Sequence, residues 1–362
     1  MQEIVENRAV AFKTRKGPNE IIAEKLDLDS CFTDDEIVIK VHAAALNPVD
    51  LLVKAYAYSW IAGCEPKTLS RDYSGVIVRR GKNIKEFDIG DKVVGSFDHL
   101  FGKEGSLSNY LTLDPKKHPS ITKMPSFGDS EYDDFVLNAA WPLVFGTAYM
   151  GLGLLDKSQN LGPDSRILVI GASTSVSNAL VQIAKNHLKV KSVVGICSKS
   201  SFERNKELGF DHLVAYDEEV VTDGVKKLID TEFNGGKFDL IFDSVGNSDF
   251  IPKIDDFLKP ISENSYYRTI VGDAKLKYTS PNLLKTFKPS ETFRRFGPFK
   301  KYNYRNYLLI PSNTFMVLGA EMIAKKQFVP TIDSVFTFED HTDAFNRLVS
   351  NKAKGKIVVK IA

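Results

Sequence analysis

From Asp164 to Gly272 the chain alternates between short β-branched runs and amphipathic helical patterns. The runs are ILVIG, SVVGIC, HLVAY, FDLIFDSVG and YRTIVG, and VSNALVQIAKNHL, SFERNKELG and EEVVTDGVKKLID lie between the earlier ones. A strand, a helix of this length and a second strand form a crossover rather than a hairpin, which implies parallel strands in a doubly wound sheet. This part of the chain is an α/β unit.

The flanks obey a different rule. EIVIKVHAAALNP alternates apolar and polar residues as a half-buried strand does, and YSGVIVRRG, DKVVGSF and NYLTL add short strands punctuated by glycine. DFVLNAAWPLVFGTAYMGLGLL then reads as helical, interrupted at Pro142 and dense in small residues. Near the C-terminus, SVFTFEDHTDAFNRLVSNKAKGKIVVKIA predicts a strand, a short helix and a last strand that can return to the β-rich part. A length of 362 residues suits two domains with separate cores. We expect a β-rich domain over 1–135 and 322–362, and the α/β domain over 136–321.

Composition excludes several classes. Hydrophobic residues make up 43% and charged residues 26%, as in a globular protein, and a net charge of +2 gives no general attraction to nucleic acid. Cys31, Cys64 and Cys197 are too far apart for a zinc clip, and their odd count argues against a disulfide framework. MQEIVENRAV has no apolar core of a signal peptide, and no apolar run reaches the roughly 18 residues of a spanning helix. A reducing, cytoplasmic setting is expected. The exception is the stretch 285–307, KTFKPSETFRRFGPFKKYNYRNY, which is basic, aromatic and broken by proline and glycine. It reads as an ordered insertion whose aromatics pack beneath a solvated basic face. An anionic-lipid contact, placing the protein peripherally on a lipid droplet or organelle membrane, is the alternative.

AALNPVDLL, RDYSGVIVRRGKNIKEFDIGDKVVG, GTAYMGL, FDLIFDSVG and terminal GKIVVKIA follow one another in an order that resembles the zinc-free, quinone-oxidoreductase-like branch of the medium-chain dehydrogenase/reductase superfamily. The GASTSVSNALVQIAK variant and the basic-aromatic stretch are similar, more narrowly, to the fungal Yim-like group. The resemblance implies a GroES-like β-rich domain plus a Rossmann sheet, a nicotinamide cofactor between them, a small-molecule substrate and a homodimer. Zinc members carry a cysteine ligand where this chain has Asn47, and a histidine–glutamate pair where it has SRDYSG. His42 and His99 are stray histidines, and a zinc site needs three or four convergent ligands. No metal is expected, and hydride transfer to a quinone or α,β-unsaturated carbonyl is favoured over alcohol oxidation.

The cofactor turn departs from the family pattern G-A-x-G-G-V-G. Here it reads Gly171, Ala172, Ser173, Thr174, Ser175, Val176, Ser177, so three glycine positions carry hydroxyl residues. Those hydroxyls can donate to phosphate oxygens, or can fill the space the phosphates need. A β-branched Thr174 would be strained if its position required positive φ. The second strand of the α/β series ends without the acid that NAD-selective sites use, offering Ser198, Lys199, Ser200 and Arg204, which favours NADPH. The family's phosphate lysine falls at Ser200, one position after Lys199, and Tyr216 matches a family tyrosine near that phosphate. The resemblance further assigns Asn47, Thr147, Ser244, Gly246, Gly272 and Lys356 to the nicotinamide side. Tyr56 and Tyr58 are candidate proton donors or substrate contacts, or else exposed loop aromatics. The opposing expectation is a non-catalytic member that binds NADPH weakly or not at all and acts as an adaptor or peripheral membrane protein through 285–307.

Overall fold

The computed structural model describes residues 3–56, 66–97, 102–273, 275, 289–298 and 300–362. They cluster into two units, one from 1–146 and 310–362, the other from 147–277 and 281–309. In chain order the first unit supplies β1 (Ile4–Phe12), β2 (Glu20–Asp27), β3 (Ile37–Leu46), α1 (Pro48–Ala55), β4 (Lys67–Thr68), β5 (Asp72–Arg80), β6 (Lys92–Ser96), β7 (Tyr110–Leu113), β8 (Ile121–Lys123) and α2 (Asp134–Ala139). Helix α3 (Pro142–Gly151) leads to β9 (Arg166–Ile170), α4 (Ser175–Asn186), β10 (Ser192–Cys197), α5 (Phe202–Glu207), β11 (His212–Ala215), α6 (Val221–Thr231), β12 (Leu240–Asp243), β13 (Tyr266–Thr269), α7 (Pro289–Phe296) and β14 (Asn303–Asn306). The chain then returns to the first unit with α8 (Asn313–Ala324), β15 (Ile332–Thr337), α9 (His341–Val349) and β16 (Lys356–Lys360).

In the first unit, β3 is the organising strand. It pairs antiparallel with β5, β7 and β16, inside a sheet ordered β15-β16-β3-β5-β6-β8. The alternation seen in its sequence puts Ile37, Ile39 and Val41 into a core with Tyr73, Ile77 and Val93. Ala43 and Ala45 face α2 instead, and their small side chains let Val136, Ala139 and Ala140 pack against the sheet. The helical run breaks before Pro142, which sits at the start of α3, where its missing N–H has no partner to lose.

The second unit holds a six-stranded sheet ordered β11-β10-β9-β12-β13-β14, with every neighbouring pair parallel. Counted from β9, this is the 3-2-1-4-5-6 order of doubly wound nucleotide-binding sheets. Successive strands leave β9 in opposite directions, so a crevice opens beyond the carboxyl ends of β9 and β12.

Of the stretch 285–307, residues 285–288 and 299 lie outside the described residues, and the rest holds α7 and an unexpected strand. Residues 303–306 are β14, the sixth strand, paired with β13 in register from Tyr266↔Asn303 to Thr269↔Asn306. Tyr302 and Tyr304 belong to the sheet's main core, and the Tyr304 ring stacks on Tyr267 at 5.8 Å. Arg294 of α7 pairs with Asp273 and lies over the Tyr304 ring. NYRN lacks the apolar alternation by which a sequence predicts a strand.

Candidate active site

Strand register assembles a polar cluster in the first unit. Ala45 pairs with Asp72 and Leu46 with Ile357, so Asn47, Asp72 and Lys356 meet at one end of β3, β5 and β16. The Lys356 ammonium lies 2.9 Å from the Asp72 carboxylate and donates to Asn47 Oδ1 at 2.5 Å. Asn47 Nδ2 donates to the same Asp72 oxygen at 2.9 Å, and the other oxygen accepts the Leu143 N–H at 2.9 Å. All three side chains are buried. An ion pair so far from water is supported by further hydrogen bonds, from Lys356 to Asn47 and from Asn47 and the Leu143 N–H to Asp72.

Asn47 also begins α1, and its N–H donates to the Asp50 carboxylate at 2.7 Å. Burial pushes the Asp50 carboxyl up to about 7, against the Asn47 N–H and the nearby Arg71 and Lys356 cations, which favour its charged form. Tyr56 ends α1 half-buried, while Tyr58 and His99 lie outside the described residues. His42 stacks on Phe135 at 4.2 Å, and burial lowers its basicity. Among the described residues no group of three or more His, Cys, Asp or Glu side chains is placed to hold a metal ion.

In the second unit the glycine-poor turn sits where β9 meets α4. Within 171–177 only Gly171 has positive φ, +85°. A Cβ there would meet Val245 Cγ1 at 2.4 Å and Ser244 Oγ at 2.7 Å, so this glycine is needed for space as well as conformation. Thr174 is the N-cap of α4 at φ −74°, and its hydroxyl accepts the Ser177 N–H at 3.2 Å. The strain that a β-branched residue would suffer at positive φ therefore does not arise. The Ser175 and Val176 N–H groups, at the first turn of α4, have no hydrogen-bond partner among the described residues. Such a helix start, beside a turn that approaches closely, fits a pyrophosphate.

The lost glycines are replaced by a triangle of hydroxyls. Thr174, Ser177 and Ser244 stand 3.0, 3.0 and 3.1 Å apart, and Ser244 reaches the Ile170 carbonyl at 3.0 Å. Ser173 accepts from Asn205 of α5 at 2.9 Å. Asp243, ending β12, accepts the N–H groups of Val245, Gly246 and Asn247 at 2.9, 2.9 and 2.7 Å and fixes the loop that carries Ser244 and Gly246. Burial raises its carboxyl to about 6, opposed by those three N–H donors. Gly272 donates to Thr269 Oγ1 at 3.0 Å, and the Thr147 carbonyl accepts from Tyr307 at 3.2 Å.

At the end of β10, Ser198 lies within 3.2 Å of Ser200 and 3.1 Å of Ser201. Lys199 forms an ion pair with Glu218 at 3.0 Å, its N–H donates to Asp217, and Tyr216 stands exposed beside them. Sequence reasoning found no acid on β10, yet the loop after β11 brings two. It also missed Asp72 as the partner of Lys356, although Asp72 opens the strand DYSGVIVRR and so sits at the edge where β3 ends.

The sequence matches the alcohol dehydrogenase GroES-like domain family over residues 33–126 and the zinc-binding dehydrogenase family over 208–359. It is 57% identical over 361 residues to Protein YIM1-1 of Lachancea thermotolerans, covering 100% of both chains. The fold is similar to that of the quinone oxidoreductase from Coxiella burnetii, with a TM-score of 0.74 and 19% identity over 99% of this chain and 100% of the other. It is also similar to the Escherichia coli quinone oxidoreductase complexed with NADPH, at TM-score 0.73 and 18% identity over 98% and 100%.

Proposed function

The chain belongs to the medium-chain dehydrogenase/reductase superfamily of oxidoreductases, among the fungal YIM1 proteins, and on that premise we propose that it is a zinc-independent reductase using NADPH to reduce a quinone or α,β-unsaturated carbonyl. The carrying observation is the turn at the sheet's switch point, where Gly171 and the open Ser175 and Val176 amides suit a pyrophosphate. Bound NADPH supplies the hydride. Ser173, Thr174, Ser175 and Val176 line the pyrophosphate, while Ser198, Lys199 and Tyr216 recognise the adenosine 2′-phosphate. Thr147, Ser244, Gly246, Gly272 and Lys356 serve the nicotinamide and its ribose. Asn47 gives both Nδ2 protons to Ala45 and Asp72, so the Oδ1 that accepts from Lys356 has one lone pair left to take a carboxamide N–H, without further cost in side-chain entropy. The Tyr56 or Tyr58 hydroxyl, or water, would supply the proton that completes the reduction, and a tyrosinate so formed would be reprotonated from solvent. Asn47 stands where zinc relatives carry a cysteine ligand, which suits an acceptor already activated by conjugation. A homodimer is the assembly this family reading carries with it.

Mixing the protein with NADPH is expected to enhance nicotinamide fluorescence, less so for Lys199→Ala, and 9,10-phenanthrenequinone or an enone should then consume the cofactor. No enhancement at saturating protein sinks the proposal. A second reading, a non-catalytic member on a lipid surface, is favoured by Phe293 and Phe296 of α7, which are 69% and 70% exposed next to Arg294 and Arg295. Because deletion of the stretch would remove β14, the flotation test uses Phe293→Ser/Phe296→Ser. Liposome binding unchanged by that pair removes the second reading.

A further inference from the structure

Helix α7 docks by a polar face. Of its described side chains Glu291 alone is buried and Arg294 is half-buried, whereas Phe293 and Phe296 face solvent. Glu291 and Arg294 stand three positions apart, so they share one side of the helix. Both reach the same residue, Asp273, in the loop that leaves β13. Glu291 Oε1 accepts the Asp273 N–H at 3.2 Å, and its Oε2 accepts from Asn306 Nδ2 at 2.9 Å. Asp273 Oδ2 accepts from the Arg294 guanidinium and from Ser290 Oγ at 3.4 Å, and Oδ1 accepts from the Tyr304 hydroxyl at 3.4 Å. Asp273 is thus gripped at its backbone and at both carboxylate oxygens.

Such contacts are a poor route to stability. An apolar helix face gains about 25 cal/mol for each Å² it buries. Glu291 instead gives up its hydration, and among the described residues its partners are neutral donors. What hydrogen-bonded charges supply is direction, since each acts over a narrow range of distance and angle. The residue so directed follows Gly272, whose φ of +76° turns the loop and whose N–H donates to Thr269 Oγ1 at 3.0 Å. Thr269, the last residue of β13, is fully buried. The loop is therefore pinned behind Gly272 by the sheet and ahead of it by α7. Thr269 pairs with Asp243 of the parallel strand β12, so this loop leaves the same edge of the sheet as the loop carrying Ser244 and Gly246. A doubly wound sheet binds its ligand along that edge.

Resting on the NADPH reading above, we infer that Glu291 and Arg294 are positioning residues: through Asp273 they set the place of Gly272 against the nicotinamide. The basic-aromatic stretch thus acts on the cofactor indirectly, from behind the loop. A displacement of about 1 Å at the reacting end is enough to cost about a hundredfold in rate.

The test compares the full-length chain with Arg294→Met, Arg294→Lys, Glu291→Gln and, on the outer side of α7, Thr292→Ala. Single-turnover oxidation of NADPH by 9,10-phenanthrenequinone and the fluorescence of NADPH at saturation read the nicotinamide end. Calorimetry with adenosine 2′-monophosphate, which lacks a nicotinamide, reads the other end, and thermal melting reads folding. Arg294→Met is expected to slow hydride transfer roughly tenfold and to lower the fluorescence at saturation, with adenosine 2′-monophosphate affinity unchanged. Glu291→Gln, which keeps one acceptor of two, should act in the same direction but less. Arg294→Lys should recover part of the rate, because one cationic donor is kept, and Thr292→Ala should match wild type. If Arg294→Met melts too early to assay, Glu291→Gln carries the comparison, and if the quinone is not turned over, the fluorescence at saturation decides alone. Wild-type rate and fluorescence in Arg294→Met and Glu291→Gln overturn the inference while the cofactor reading stands, even where both melt lower. Weaker adenosine 2′-monophosphate binding in step with the lost rate also overturns it. So does an equal loss in Thr292→Ala, since the damage is then general. A wild-type protein that binds no NADPH overturns the cofactor reading, and this inference falls with it.

Discussion

Lys199 is already neutralised by Glu218 across an exposed gap of 3.0 Å. On the proposed NADPH reading, a 2′-phosphate would compete for that ammonium and also meet the acid's own charge. Glu218→Gln is therefore expected to tighten NADPH roughly two- to fivefold, the range of an exposed ion pair, with NADH unchanged in the same titration. The buried pair behaves differently. Lys356→Met leaves the Asp72 carboxylate without its cation and is expected to lower stability by about 3–5 kcal/mol in urea unfolding. Adding Asp72→Asn should restore part of the loss, since it removes the unpaired charge and its amide oxygen still accepts the Leu143 N–H, while its NH2 meets the Asn47 Nδ2 donor. Asp50 sets a pH dependence. Its carboxyl titrates near 7 in the folded chain and near about 3.9 when unfolded, so the folded state holds the extra proton between those values. Its contribution to stability is full below about pH 4 and is lost as pH rises through 7. Asp50→Asn keeps an acceptor for the Asn47 N–H and should flatten the fall in melting temperature from pH 5 to 8. Asp243, raised to about 6, still contributes in the same sense.

Among the elements, β14 ties the polar stretch after α7 to the sheet core. Tyr304 is 4% exposed, stacked on Tyr267 and covered by Arg294. Tyr304→Ala should cost about 3 kcal/mol, read as a lower urea midpoint, by leaving a ring-sized gap under the strand. Of the strands that the sequence made plain, β9, β10, β12 and β13 lie inside the sheet, where apolar runs are required, and the edge strand β11 keeps the apolar run LVA. β14 was illegible because NYRN has no apolar alternation and sends one side chain, Tyr304, into the core. The site divides similarly. The position of the turn, Gly171 and the helix that follows were readable, because those are local. The hydroxyl triangle was not, because Ser244 closes it across 70 residues from Thr174. Nor was the Lys356 cluster, which depends on the registers of β3, β5 and β16. Whether Thr174 was strained was a question of one dihedral angle, and φ −74° answered it.

Taken whole, the chain builds one unit from two separated stretches and the other from its middle. β16 lies between β15 and β3 and carries Lys356 at its first position, so the first unit lacks an inner strand without it. A chain ending before Lys356 should lose that unit's cooperative melting, while limited proteolysis of it leaves a protected fragment near 147–309; a fragment from the N-terminal unit instead would contradict this. The arrangement also bears on birth at the ribosome, where amino-terminal domains ordinarily fold first. Here every strand of the six-stranded sheet has emerged before Lys356–Lys360 is translated. The part made first must wait, exposing an unpaired flank of β3 through most of synthesis, and chaperone capture of nascent chains should concentrate on that earlier segment.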